Sequence, residues 1–133
     1  MKTNLAHMAF IVTDIEKSAK FYCDILGLKK AFEMRNPAGV LAGIYLHAGG
    51  RTFIELFKGE VVPAHKNQSY KHMCIETEDI KEMTVSIRSK GIEVTEIKMG
   101  LDNSYQAWLA DPDGNRIELH QYTPTSLQSP WVK

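Results

Sequence analysis

Residues 110–120 have the sequence Ala110-Asp111-Pro112-Asp113-Gly114-Asn115-Arg116-Ile117-Glu118-Leu119-His120. Asp-Pro-Asp-Gly-Asn is a strong turn signal, because Pro presets φ and Gly accepts a positive φ. The residues after the turn alternate, with Ile117 and Leu119 on one face and Arg116, Glu118 and His120 on the other. This alternation predicts a strand that turns its apolar face to a core. Its other face presents a carboxylate beside an imidazole.

Length and composition exclude several classes of protein. The 133 residues suffice for one domain with a sizeable core. Sixteen basic and sixteen acidic residues balance, so we expect no nucleic-acid partner. No apolar run approaches the ~18 residues that span a membrane, and the first residues lack a signal peptide's apolar region. Cys23 and Cys74 share no motif spacing, so we expect free thiols in the cytoplasm.

The first half of the chain predicts one strand, one helix and three further strands. We expect strands at 5–13, 29–35, 40–48 and 51–57, from alternation and turn residues. Asp14 is the predicted N-cap of the helix, and Gly27 ends it. A polar stretch at about 59–69 without periodicity is the predicted linker.

The second half repeats this order. We expect strands at 70–77, 92–98, 104–110 and 115–122. Asp79 and Glu82 form a capping box at the start of a helix that Gly91 ends. The tail, 123–133, has no period, and we expect it either to dock on a partner subunit or to fray.

Five pairs of landmarks indicate that the chain is a duplication. They are separated by 63 to 65 positions: His7 and His72, Asp14 and Asp79, Ile15 and Ile80, Gly27 and Gly91, Glu55 and Glu118. Agreement among residues of such different chemistry predicts two copies of a β-α-β-β-β module, one at about 5–58 and one at about 70–122.

Each module carries one His on its first strand and one Glu on its last. These side chains lie opposite the apolar face that the helix must cover, so we expect His7, Glu55, His72 and Glu118 to converge. Two imidazoles and two carboxylates suit a borderline divalent metal. Mixed N/O ligation with room for water favours Ni, Co, Zn, Mn or Fe over a closed structural zinc site.

The chain resembles the glyoxalase I/bleomycin resistance/extradiol dioxygenase group, the vicinal oxygen chelate superfamily. The motifs that carry the resemblance are His7 before Met8-Ala9-Phe10-Ile11-Val12, Phe21-Tyr22, Leu26-Gly27-Leu28, Phe53-Ile54-Glu55-Leu56, His72-Met73-Cys74-Ile75, Asp111-Pro112-Asp113-Gly114-Asn115 and Ile117-Glu118-Leu119. The resemblance implies a single α+β domain over 1–133. Its two tandem modules would form a curved mixed sheet around a metal cavity, with the helices outside. It also implies a homodimer.

The ligand set resembles that of bacterial glyoxalase I, which uses His, Glu, His and Glu. This implies a metal-dependent lyase or isomerase of the lactoylglutathione lyase type. Ring-cleaving dioxygenases and fosfomycin thiol transferases of the group use two His and one Glu, so Glu55 would be a surplus ligand in either class. The sequence Glu118-Leu119-His120 is nevertheless similar to that of the transferases. Epimerases of the group often carry Gln at the position of Glu55. Antibiotic-binding members lack the metal ligands, which disfavours a non-enzymatic role.

The expected reaction is proton transfer beside a metal-chelated carbonyl of an α-hydroxycarbonyl substrate. We expect Glu118 to be the general base and Glu55 to be a second catalytic carboxylate. Candidate substrate-binding residues are His120, Trp108 and Arg116, although Trp108 also fits a core position. The strand after His7 lacks a basic residue to grip glutathione. A sugar-like or keto-acid substrate therefore fits as well as a glutathione hemithioacetal.

Overall fold

The computed structural model describes residues 1–132. The chain folds into two compact units. Unit 1 is Met1–Pro63, and unit 2 begins at Ala64. The division falls inside the stretch predicted as a linker, and each unit holds one helix and four strands. In residues 1–132, neither helix is long and apolar enough to cross a bilayer.

Unit 1 is a four-stranded mixed sheet covered by one helix. Its elements are β1 (His7–Val12), α1 (Ile15–Asp24), β2 (Lys29–Arg35), β3 (Leu41–His47) and β4 (Phe53–Lys58). The strand order is β1-β4-β3-β2, with β1 parallel to β4 and the other pairs antiparallel. Tyr22 of α1 and Leu46 and Leu56 of the sheet are fully buried, so the core lies between helix and sheet.

Unit 2 repeats this arrangement. Its elements are β5 (Met73–Glu76), α2 (Ile80–Ser89), β6 (Lys98–Met99), β7 (Tyr105–Ala110) and β8 (Arg116–Gln121). The order β5-β8-β7-β6, with β5 parallel to β8, matches that of unit 1. Ile87 of α2 and Ile117 and Leu119 of β8 are fully buried. The predicted α+β class and its duplicated modules are confirmed. The strands form two sheets, one in each unit.

Both predicted helix starts are confirmed. The Asp14 carboxylate accepts the Lys17 backbone N–H at 3.0 Å, and the Asp79 carboxylate accepts that of Glu82 at 2.9 Å. Each bond satisfies one of the backbone donors left free at a helix N-terminus. Gly27 and Gly91 follow the two helices with φ of 75° and 77°, a conformation that favours glycine.

The turn that opens β8 is organised by one buried carboxylate. Asp111 accepts the backbone N–H groups of Asp113 and Asn115 and the Asn115 side-chain amide, each at 2.9 Å. Gly114 has a φ of 82°, as the turn requires. In unit 1, Ala48 donates to the carbonyl of Thr52, as Asp111 donates to that of Asn115. The register of β8 therefore depends on side-chain bonds that its counterpart lacks.

The predicted strand at 92–98 is wrong apart from its last residue. Only Lys98–Met99 pairs as β6. The Arg88 guanidinium donates to the carbonyls of Val94 and Thr95, at 3.2 and 2.9 Å. The Thr95 hydroxyl accepts the Trp108 backbone N–H at 2.9 Å. Side chains thus hydrogen-bond to backbone carbonyl and N–H groups that a regular β-strand would pair with its neighbour.

The described part of the tail packs against unit 2, so it does not fray. Ser126 is buried, and its hydroxyl lies 2.8 Å from that of Ser104. Gln128 donates to Asp102 at 2.6 Å. Lys133 lies outside the described residues.

Candidate metal centre

Unit 1 brings His7 and Glu55 together. His7 opens β1, and Glu55 lies in the middle of the parallel neighbour β4, opposite Ala9. Their Nε2 and Oε2 atoms are 3.1 Å apart. The Glu55 side chain is only 11% exposed, whereas that of His7 is 45% exposed. The Glu55 carboxylate is thus nearly buried, whereas the His7 imidazole beside it is partly exposed to solvent.

Unit 2 brings His72 and Glu118 together in the same way. His72 lies one residue before β5, and Glu118 of β8 is opposite Cys74. The His72 Nε2 and Glu118 Oε2 atoms are 3.0 Å apart. In both units the glutamate faces the residue two positions after the histidine, so the repeat extends from the sequence to the pairing of the parallel strands.

The donor atoms of both pairs fit a divalent metal ion. The imidazole nitrogen and the carboxylate oxygen are 3.1 Å apart in unit 1 and 3.0 Å apart in unit 2, which is the distance of a hydrogen bond or ion pair. A bound divalent ion would replace this contact and take both atoms as ligands. The two nitrogens and two oxygens are also donors that divalent transition metals accept.

In each unit, an aromatic ring on the third strand packs against the histidine of the His–Glu pair. Tyr45 lies opposite Glu55, and Trp108 lies opposite Glu118. The ring centroids of Tyr45 and His7 are 5.8 Å apart, and those of Trp108 and His72 are 4.7 Å apart, both edge to face. A hydrogen bond to Glu55 raises the pKa of the Tyr45 phenol. Sequence reasoning missed Tyr45, although it stands 63 positions before Trp108.

Glu118 has a second imidazole partner that Glu55 lacks. His120 is buried at 7% exposure, and its Nδ1 lies 3.1 Å from Glu118 Oε1. Its Nε2 has no hydrogen-bond partner among residues 1–132 and lies 3.7 Å from Asp102. A hydrogen bond from Gln128 holds the pKa of the Asp102 carboxyl below its usual range. The counterpart of His120 in the repeat is Phe57, so the two glutamates are chemically unequal.

The remaining predicted site residues also lie near the unit 2 pair. The Arg116 guanidinium carbon is 4.4 Å from the centre of the Trp108 ring, a cation–π contact. Trp108 is half-buried and lies opposite Glu118 on the neighbouring strand. Ligand atoms of Cys74, Glu118 and His120 lie within 4.8 Å of one another. Partial desolvation and nearby carboxylates, Glu118 foremost, raise the pKa of Cys74 to about 12. Its thiol is thus protonated near neutral pH, which argues against a nucleophile.

The sequence is similar to known proteins that belong to one family. Residues 4–119 match the family described as the Glyoxalase/Bleomycin resistance protein/Dioxygenase superfamily. A probable lactoylglutathione lyase of Synechocystis is 31% identical over 125 residues, which cover 88% of this chain and 94% of that protein. A metallothiol transferase of Staphylococcus epidermidis is 28% identical, with 91% and 83% covered.

The chain spans about half the length of some curated relatives that it matches. A putative lactoylglutathione lyase of Brassica oleracea is 29% identical over 132 residues, which cover 93% of this chain but 46% of that protein.

Proposed function

Because the chain belongs to the glyoxalase/bleomycin resistance protein/dioxygenase superfamily, we propose that it is a metal-dependent lyase or isomerase of the glyoxalase I type. It would transfer a proton at the carbon next to a chelated carbonyl. The observation that carries the proposal is the recurrence of one His–Glu pair, with the same atoms and nearly the same separation, in both units.

The proposed ligands of one divalent ion are His7, Glu55, His72 and Glu118. The ion would be Ni, Co, Zn, Mn or Fe, because the donor set suits all of them. When bound, it would stabilise the negative charge that develops on adjacent substrate oxygens. The protein supplies the proton transfer.

Glu118 is the proposed general base. It would take the proton from the carbon beside the carbonyl and return it to the neighbouring carbon. The hydrogen bond with His120 at 3.1 Å supports this role, because it orients the carboxylate and links it to a buried imidazole. Glu55, bonded to Tyr45, would be the second catalytic carboxylate. His120, Trp108 and Arg116 would contact the substrate.

The proposed substrate is a small α-hydroxycarbonyl compound. Relatives named lactoylglutathione lyase support a glutathione hemithioacetal. We also propose that the protein acts as a homodimer in the cytoplasm. The free thiols of Cys23 and Cys74 support a reducing compartment.

Metal analysis followed by an activity screen tests the proposal. The purified protein should bind about one divalent ion per chain. The loaded protein should convert methylglyoxal–glutathione hemithioacetal or a sugar-type α-hydroxyketone. In deuterium oxide, the carbon next to the carbonyl should take up solvent deuterium. A protein that binds no divalent ion on titration would contradict the proposal.

Thiol transfer to an epoxide is the second candidate. Two observations favour it, the similarity to a metallothiol transferase and the Glu118–His120 pair on β8. A transferase would consume thiol and epoxide together without exchanging a carbon-bound proton. Mass analysis of the product separates the two reactions.

A further inference from the structure

Unit 2 contains a basic cavity that the proposed proton transfer does not use. It has a volume of about 250 Å³ and lies between the segment 64–71 and the start of β8. His65, Lys66, Lys71 and Arg116 line it, together with Tyr70 and Asn115. Within the described residues its lining includes no Asp or Glu.

The cations around this cavity lack a matching carboxylate in its wall. Three of them, Lys66, Lys71 and Arg116, are charged at neutral pH. The nearby carboxylate of Asp111 is buried and accepts three hydrogen bonds within its own turn. Clustered like charge in a concave surface raises the local concentration of the opposite ion.

The cavity adjoins the proposed metal ligands. Lys71 immediately precedes His72, and Arg116 lies two residues before Glu118 on the same face of β8. Arg116 both lines the cavity and stacks on Trp108, and the Trp108 ring contacts His72. A group bound in the cavity is therefore linked to the site through two direct contacts.

The repeat does not reproduce Arg116 in unit 1. The repeat places Phe53 where unit 2 has Arg116, and Phe53 packs against Tyr45 and His47. Arg116 is thus not part of the duplicated pattern, as expected of a specificity element rather than of the shared scaffold.

We propose that this cavity binds an oxyanion, a carboxylate or phosphate carried by the substrate at the end remote from its reacting carbonyl. This deepens the proposed function and rests on it for the identity of the ligand as a substrate. Arg116 would pair with two oxygens through its planar fork, while Lys66 and Lys71 supply point charges. The substrate is therefore an anionic α-hydroxycarbonyl compound.

Binding of inorganic phosphate and of acetate to the metal-free protein tests the cavity independently of catalysis. The indole N–H of Trp108 is the reporter in NMR spectra, and Trp131→Phe assigns it. We expect a saturable shift with a Kd on the order of millimolar for at least one anion. Comparing the two anions distinguishes a phosphate-bearing from a carboxylate-bearing substrate.

Lys66→Gln and Lys71→Gln should each weaken that binding about tenfold. Two variants are needed, because Lys71 also donates to the Lys66 carbonyl at 2.6 Å, a bond that Lys66→Gln keeps. Lys98→Gln, an exposed lysine on β6, is the matched control and should leave the affinity unchanged.

The absence of a saturable shift up to about 50 mM, or equal weakening by all three variants, would overturn the proposal. Anion binding without turnover by the metal-loaded protein would keep the oxyanion site and reject the proposed reaction. With an active protein, Lys66→Gln should raise KM for an anionic substrate about tenfold. For a neutral analogue, KM should not change.

Discussion

The two glutamates of the candidate site occupy equivalent positions but differ in their neighbours. Glu118 touches His72 and His120, whereas Glu55 touches His7 and Tyr45. A buried imidazole beside Glu118 can share a proton with it, while a phenol with a raised pKa stays neutral beside Glu55. This difference between single residues is the basis for assigning the base.

Glu118→Gln should therefore lower kcat more than Glu55→Gln when both are saturated with metal. We expect a loss of about 10²–10⁴-fold for Glu118→Gln, because an amide cannot accept the proton. Deuterium uptake by the substrate measures the proton step directly, and metal content shows that each variant is loaded. Full exchange by Glu118→Gln would reject the assignment.

Asp102, in the loop before β7, lies 3.7 Å from His120 and accepts a hydrogen bond from Gln128 of the tail. The Gln128 hydrogen bond lowers the pKa of Asp102, so the folded protein favours its ionised form. Its stabilising contribution is present above the unfolded pKa of about 3.9 and is lost as pH falls through the folded pKa.

Gln128→Leu should raise the Asp102 pKa towards the ordinary value. Carboxyl NMR titration measures the change. Glu33, whose pKa is lowered by hydrogen bonds from Lys30 and Arg35 in unit 1, serves as an internal control that should not move. An unchanged Asp102 titration would contradict the role of Gln128.

At the scale of elements, the Asp111 turn determines how β8 begins. Asp111→Ala leaves two backbone N–H groups and an amide without their acceptor, so we expect about 2–3 kcal/mol less stability. Gly114→Ala should cost about 1–2 kcal/mol, because a Cβ there meets no atom within 4 Å and only the φ of 82° is unfavourable. Denaturant unfolding measures both values. A smaller loss for Asp111→Ala than for Gly114→Ala would show that backbone conformation dominates the turn.

Other elements show where local signals fail. The alternation at 92–97 favours a strand, yet Arg88 from the preceding helix binds two of its carbonyls. The tail has no periodicity, yet Ser126 is buried against Ser104. In the first case the deciding side chain lies on the preceding helix, outside the alternating stretch, and in the second it lies 22 residues away. Neither contact is encoded in the alternation or periodicity of the segment itself.

At the scale of the whole molecule, the duplication predicts that both units are needed for metal binding. His7→Ala and His72→Ala should each weaken divalent-metal affinity more than tenfold, because each removes one of the four proposed ligands. His47→Ala should have no such effect, since its Nε2 lies 3.0 Å from the Gly50 carbonyl in a turn. A competition titration with a chelating dye measures all three. If His7→Ala retained full affinity, the cluster of Cys74, Glu118 and His120 in unit 2 would become the preferred site.

The sequence alone determined the two β-α-β-β-β units, both helix caps and the four proposed ligands. Caps, turns and alternation depend on interactions between residues that are close in sequence. The repeat spacing of 63 to 65 residues then relates each proposed ligand of one unit to an equivalent ligand in the other. Tertiary structure alone decided that Tyr45 bonds Glu55, that Asp102 lies beside His120 and that basic residues from the linker enclose a cavity. These contacts join side chains from different strands and loops, so they exist only once the strands have paired and the loops have closed.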